Sequence, residues 1–441
     1  MNILALMETF LPAASLALLR RVGELADEQG LPCFAVGGLP RDLLLKRPTS
    51  DVDIMVEGHG PTFARRLAEA LRGEASVEER FLTAKVELPD GTALDVASAR
   101  QETYPRPGAL PEVSPASAQA ELARRDFSIN ALAVRLGGAH FGELFDPLGG
   151  ADDIRAGWIR ALHPRSFWDD PTRLWRAFRF AGRYGFQLEP STAEAARDAI
   201  AQGVLKSISG ERLGAEIRLV LGEPSPLAAL RLARDYGALQ QIADGLALTP
   251  SDEARLERAE EVAAEMAERA RAEDATWPPP WQLHAASLFL PLRPAGVEPA
   301  CRALDFTAAE ARDIAAACAR APAARAALAA ERVERSRIHA ELSGAPLLAA
   351  WLTLVIAEDD RARQRVRLYL DELRHVRLDI TGDDLIAAGL APGPSFSRAL
   401  QAALDAKLDA LAPDAATQLA VAKRAVGRGD GVSAAGDRGL P

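Results

Sequence analysis

Residues 34–57 read FAVGGLPRDLLLKRPTSDVDIMVE, an apolar run that closes on Gly37-Gly38, then a basic-acidic pair, then a second apolar run carrying Asp51 and Asp53 one residue apart. In a strand, residues i and i+2 share a face, so a strand over DVDIMV projects both carboxylates to the same side. Such a pair repels, and burying it is costly unless a cation intervenes. Mg²⁺ suits hard oxygen ligands of this kind, taking one or two carboxylates and completing its shell with phosphate oxygens and water. The glycines supply the matching anion site, because a Gly-rich turn after a strand lets backbone N–H groups approach a phosphate at a helix N-terminus. Arg41 adds a planar fork for phosphate oxygens. On the D-x-D spacing alone, a surface turn is the plain alternative.

The flanking sequence repeats the strand pattern in CFAVGG, TAKVEL and TALDVAS, separated by helix-like segments such as PTFARRLAEALR, which makes residues 1–150 an α/β head. From about residue 151 the strand signals disappear. Ala, Leu, Arg and Glu then recur at helical spacing past residue 420, interrupted by EPSP (223–226), WPPPW (277–281) and APGPS (391–395). At 441 residues the chain is long enough for several domains, and its 48% hydrophobic content with only 5% aromatics favours helices over sheets. The net charge of −10 excludes a protein that coats nucleic acid indiscriminately but is compatible with a local basic groove. Apart from Lys46, Lys85, Lys206, Lys407 and Lys423, every basic residue is an arginine.

Cys33, Cys301 and Cys318 form neither a C-x-x-C pair nor an even set, which argues against a disulfide framework or zinc site and for a reducing cytoplasm. The N-terminal MNILALMETFLPAASLALLRR lacks a basic n-region and suits a packed helix. No stretch is long enough to span a membrane.

The joint pattern G-G-x-x-R-D-x-L-L followed by D-x-D-I resembles the nucleotidyltransferase head of the class II CCA-adding enzymes and bacterial poly(A) polymerases, whose fold is similar to that of polymerase beta. Four further segments resemble that family's motifs in order: RRDFSINALA (124–133), FDPLGGADDIRAGWIR (145–160), DDPTRLWRAFRFAGRYGF (169–186) and SGERLGAEI (209–217). The resemblance implies an α+β head with a mixed sheet (1–150), a helical neck carrying the nucleotide-selecting motif (151–224), a helical body (225–376) and a helical tail that is an RNA-binding candidate (377–425), while the near absence of apolar periodicity in the tail GRGDGVSAAGDRGLP predicts a disordered end (426–441). It implies Mg²⁺ held by Asp51 and Asp53. Nucleotide contacts fall to Gly37, Gly38, Arg41, Arg125, Asp126, Asn130, Asp170, Arg173, Arg176 and Arg179, while Glu211, Arg212 and Glu216 carry the fifth motif. Asp95, in TALDVAS, is either a third carboxylate or a core-edge hydrogen-bonding residue. Pro40 replaces the family's usual small apolar residue, and Asp169 its common Glu.

Asp170 and Arg173 lie three apart, which on a helix places them on one face. An arginine donates to ring N and carbonyl O while an aspartate accepts from an exocyclic amine, an edge that fits cytosine and, after a small shift, adenine. A solvated i,i+3 ion pair is the competing reading. His284 in PWQLHAASLFLPLR sits where some relatives carry a metal-dependent HD helix, but no His-Asp pair accompanies it, and it reads as a structural helix residue. The turn Pro392-Gly393-Pro394 before Ser395 starts either an RNA-phosphate site or an ordinary cap. Arginine runs such as DRARQRVRLYLDELRHVR are solvated faces or an RNA-backbone groove.

The expected activity is addition of C and/or A to the tRNA 3′ end from CTP and ATP with release of pyrophosphate. Enzymes adding only CC or only A share all five motifs, so those readings stay open, as do a poly(A) polymerase and a noncatalytic RNA-binding helical protein. Oligomeric state is left open.

Overall fold

Short alternating apolar segments build one twisted sheet in the N-terminal part, and amphipathic helices cover it. The computed structural model describes residues 1–49, 52–103, 112–273, 277–292 and 294–430; Asp51 lies outside them. In chain order the elements are α1 (Leu4–Phe10), α2 (Ala13–Asp27), β1 (Cys33–Val36), α3 (Gly38–Leu44), β2 (Asp53–Val56), α4 (Gly60–Leu71), β3 (Glu74–Glu78), β4 (Thr83–Glu87) and β5 (Ala93–Ser98). They continue with β6 (Arg100–Thr103), β7 (Glu112–Pro115), α5 (Ala118–Ala123), β8 (Ala133–Arg135), β9 (Leu144–Phe145), α6 (Gly150–Ala156), α7 (Ser166–Asp169), α8 (Thr172–Tyr184), α9 (Pro190–Ala201) and α10 (Gly210–Leu221).

The main sheet has the order β3-β4-β5-β2-β1-β8-β9. It is mixed, since β2 and β5 pair in parallel while its other neighbours are antiparallel. One face buries Ala35, Ile54, Val56, Val86, Leu94 and Val96 against Leu19 and Val22 of α2 and Phe63 and Leu67 of α4. The other face has a smaller apolar patch of Phe34, Val36 and Met55 against Ala118 and Leu122 of α5. That asymmetry leaves part of the second face polar, and the candidate site lies there. The chain divides into two compact units, the first comprising Met1–Arg212 and Arg231–Ala238.

The second unit is helical throughout its described residues. Its core includes the helix Leu347–Ile356, whose Trp351 and Leu354 are fully buried, and the helix Pro280–Phe289. At Gly214 a Cβ would lie 1.7 Å from the Leu304 carbonyl oxygen, so only glycine permits that backbone approach. No described helix is long and apolar enough to cross a membrane. Helix breaks fall at or beside the expected Pro-rich stretches.

Two expectations need correction. Strand signals do not end at residue 151, because Trp158–Ile159 pairs in parallel with Gln187–Leu188. Nor does order end at 426: the helix Ala415–Asp430 passes that point, anchored by Ala422 and Val426 in a small core with Leu385 and Ala399. Residues 431–441 lie outside the described residues.

Candidate active site

Register places the acidic residues side by side. Asp53 is the Cα partner of Val36 on β1 and of Asp95 on β5, Asp95 pairs with Lys85 on β4, and Lys85 with Ser76 on β3. Paired residues share a face, so one lateral row runs Ser76, Lys85, Asp95, Asp53, Val36. All five line a cavity of about 540 Å³, whose other walls include Arg100, Glu121, Arg124 and Arg125. Asp95 therefore projects into the same space as Asp53 and is not a core-edge residue.

Gly37 takes φ 76°, a conformation that L side chains rarely adopt, and a Cβ there would meet Asp53 Oδ2 at 2.1 Å. The glycine thus sets the turn and lets the carboxylate lie against the backbone. A Cβ on Gly38 would come within 2.9 Å of Arg41 Nη2. Pro40 is the third residue of α3, inside the first turn, where backbone N–H groups have no helical acceptor, so it costs the helix no hydrogen bond.

Arg41 behaves differently from the expected phosphate fork. It is buried; Nε and Nη2 donate to the Asp42 carboxylate and Nη1 donates to Asn130 Oδ1 at 2.6 Å. Asn130 Nδ2 in turn donates to Asp126 Oδ1, and Arg176 donates to Asp126 Oδ2 at 2.7–2.8 Å. This chain, Asp42–Arg41–Asn130–Asp126–Arg176, ties three separated motifs together. Phe180 packs beneath it, with the guanidinium carbons of Arg41, Arg176 and Arg179 at 5.5, 5.7 and 4.6 Å from its ring centroid. Burial pulls the Arg125 guanidinium pKa down, and the charges of Glu121, Asp126 and Asp53 work against that pull. Arg125 and Asp53 line the same cavity.

Asp170 and Arg173 do not share a helical face. Asp170 is extended (φ −142°, ψ 96°) between α7 and α8, because the following Pro171 excludes the helical conformation at the residue before it. They form no ion pair with each other. Asp170 Oδ1 accepts from Thr172 N, Thr172 Oγ1 and Arg212 Nη2, which links the fourth and fifth motifs. Arg173 Nη1 donates to Ser166 Oγ and Nη2 to the Arg124 carbonyl oxygen. Asp170 Oδ2 and Arg173 Nε keep no partner among the described residues. That leaves one carboxylate oxygen and, counting the second N–H of each Nη, three guanidinium N–H groups for a ligand. Glu211 is exposed, and Glu216 lies further along α10.

The sequence reading missed Glu121, Arg100, Arg124 and Lys85 as site residues. Glu121 sits three and four residues before Arg124 and Arg125, and that helical spacing next to RRD was the available signal. His284 is a buried helix residue with Nδ1 2.7 Å from the Leu221 carbonyl oxygen, and burial lowers its pKa. All three cysteines are buried and free, their pKa values pushed up to about 12 by burial. Among the described residues no three His, Cys, Asp or Glu side chains are grouped to hold a metal ion. Asp53 and Asp95 are two carboxylates of the kind Mg²⁺ takes, and the close seat that Gly37 gives Asp53 fits such a role.

Residues 33–160 match the family described as "Poly A polymerase head domain", and residues 185–248 match "Probable RNA and SrmB- binding site of polymerase A". An A-adding tRNA nucleotidyltransferase of Geobacter sulfurreducens is 34% identical over 96% of this chain and 48% of its own length. The chain thus spans about half of that relative. A CC-adding tRNA nucleotidyltransferase of the same organism is 31% identical over 86% of this chain and 89% of its own length. Among solved structures, a Thermotoga maritima CCA-adding enzyme complexed with tRNA superposes with a TM-score of 0.76 at 26% identity, covering 97% of this chain and 99% of the other.

Proposed function

The chain belongs to the class II tRNA nucleotidyltransferase (CCA-adding enzyme) family, and from that premise we propose that it adds C and/or A to the 3′ end of tRNA from CTP and ATP, releasing pyrophosphate. The observation that carries the reading is the lateral register of Asp53 beside Asp95 on the floor of a polar cavity. Asp51 and Asp53 would hold Mg²⁺, with Asp95 beside Asp53. When bound, Mg²⁺ lowers the pKa of an attacking hydroxyl and offsets charge on a departing pyrophosphate. Arg125, which lines the cavity together with Asp53, would meet the triphosphate, and the Asp126–Asn130–Arg41 chain holds that wall in place. Asp170 Oδ2 and the remaining N–H groups of Arg173, Nε among them, are left to read the Watson–Crick edge of the incoming base. Their polarity accepts C and A and opposes U and G.

Addition of A alone is a second reading, favoured by the A-adding relative that aligns over 96% of this chain. The test supplies tRNAs ending before CCA, after C and after CC, each with labelled CTP or ATP. Incorporation on all three supports complete CCA addition, and incorporation of A after CC alone selects the second reading. Long A tracts on unstructured RNA with none on tRNA would replace both by a poly(A) polymerase. No pyrophosphate release on any of them would leave a noncatalytic protein.

A further inference from the structure

Glu121 is the most buried acid on the cavity wall, 4% exposed on the short helix α5, and nothing in the nucleotide-transfer reading requires a carboxylate there. Its surroundings are basic. Oε2 accepts from Arg124 Nε at 2.7 Å and from the Arg100 backbone N–H at 3.2 Å, and Oε1 accepts from Arg124 Nη2 at 2.6 Å. Arg125 Nη2 lies 3.6 Å from Oε1. A fork-on-fork contact of this kind fixes a guanidinium in direction as well as in distance. Arg124 is also the C-cap of α5, and its carbonyl oxygen accepts from Arg173 Nη2 at 3.0 Å. One carboxylate therefore touches two segments, the start of β6 through Arg100 and the RRD turn through Arg124 and Arg125, and reaches a third, Arg173 of α8, through the Arg124 carbonyl.

We propose that Glu121 is a positioning residue for nucleotide selection, which holds Arg125 in the cavity it shares with Asp53 and, through the Arg124 carbonyl, sets where Arg173 presents its free Nε. This inference rests on the proposed nucleotide-transfer function. Glu121 does not touch the nucleotide. It makes the phosphate-facing and base-facing arginines move as one body, so that loosening it blurs base choice together with nucleotide affinity. A brace that only kept α5 folded would alter neither separately from stability.

The test uses the full chain with three variants. Glu121→Asp keeps the charge but withdraws the carboxylate by one methylene. Glu121→Gln keeps the size and removes the charge. Arg124→Lys keeps the cation on the rim and loses the bidentate contact, so it is the variant safest for folding. Steady-state kcat and KM for CTP, ATP, UTP and GTP are measured on tRNA lacking its 3′ end, with melting temperature in parallel. The expected result is a raised KM for the preferred nucleotide and a fall of about tenfold or more in its preference over UTP and GTP in Glu121→Asp and Arg124→Lys, since small misplacements of positioning groups carry costs of up to about a hundredfold. Melting temperatures of those two stay close to the parent's, and Glu121→Gln shows the larger loss. Unchanged KM and preference in all three variants would overturn the inference, as would a kcat that falls with melting temperature while base preference holds. A parent chain that incorporates no nucleotide would remove the proposed function and this inference together, a result distinct from a normal parent with unaffected variants.

Discussion

The two units use arginine with different emphasis. In the first, buried charged groups converge on one place: Arg41, Glu121 and Asp126 are all under a tenth exposed, and the bonds that fix the wall join residues 89, 50 and 49 positions apart. In the second, arginines reach across to the carbonyl oxygens at the ends of neighbouring helices. Arg365 Nη1 donates to Leu328 O at the end of the helix Ala308–Leu328, Arg258 Nε to Val355 O near the end of Leu347–Ile356, and Arg320 Nε to Glu341 O near the end of Arg335–Ser343. Those carbonyls have no acceptor role inside their own helices, so a cation there satisfies them and complements the helix dipole. The contrast teaches that arginine content by itself says little. Buried charge costs several kcal/mol per ion in desolvation, and in the first unit Glu121 carries that cost on the wall of the cavity.

The contrast is broken most severely at the carboxylate row. Asp53→Ala should lower incorporation of CTP or ATP by at least about 10³-fold, roughly 4 kcal/mol of transition-state stabilisation, with the melting temperature unchanged or raised. Full activity in that variant would mean the cavity is not where transfer occurs. Next, Asp126→Ala leaves Arg176 and Asn130 without their shared acceptor and should destabilise the chain by about 3–5 kcal/mol in chemical denaturation. Its counterpart in the second unit, Arg302→Ala, removes only an exposed i,i+4 pair with Glu298 and should cost no more than about 1 kcal/mol. Similar losses in the two would erase the distinction between the units.

The smallest effect concerns pH. Burial holds the His284 pKa below its ordinary 6.5, so the unfolded chain takes up this proton first. The stability linked to neutral His284 is therefore complete above about pH 6.5 and declines as pH falls from there toward the folded value, by about 1.4 kcal/mol for each unit separating the two pKa values. His163 and His339 are lowered in the same direction, again mainly by burial. His284→Gln should flatten the melting-temperature profile between pH 7.5 and 5 without abolishing its slope. An unchanged slope would indicate that His284 is protonated alike in both states.

Much of the first unit was legible because short apolar runs mark β1 and β2, apolar alternation marks β4 and β5, and the glycine pair and D-x-D fall where the chain leaves β1 and enters β2. β3 was not, since EASVE is an edge strand with exposed Glu74, Ser76 and Glu78 and only a half-buried Ala75 and Val77. The pairing of Asp53 with Asp95 escaped for a different reason. A parallel partner 42 residues away is decided by strand order in the sheet, which periodicity does not encode. The shared helical face for Asp170 and Arg173 failed because Pro171 was weighed less than the i,i+3 spacing. In the second unit three helix breaks were legible from EPSP, WPPPW and APGPS, the others carry no such cluster, and Pro299 and Pro322 lie inside helices, whereas the carbonyl-directed arginines depend on which helix ends come close.

The central claim is that side chains held by this buried network choose the nucleotide without a template. The most direct measurement is the relative incorporation of CTP, ATP, UTP and GTP by Arg173→Ala, with circular dichroism and melting temperature as controls. Loss of a bidentate contact is worth on the order of 1–3 kcal/mol of discrimination, so the preference over UTP and GTP should fall by roughly ten- to a hundredfold while metal and triphosphate binding persist. A folded Arg173→Ala protein that keeps the parent's full preference would contradict the account and place base choice elsewhere in the molecule.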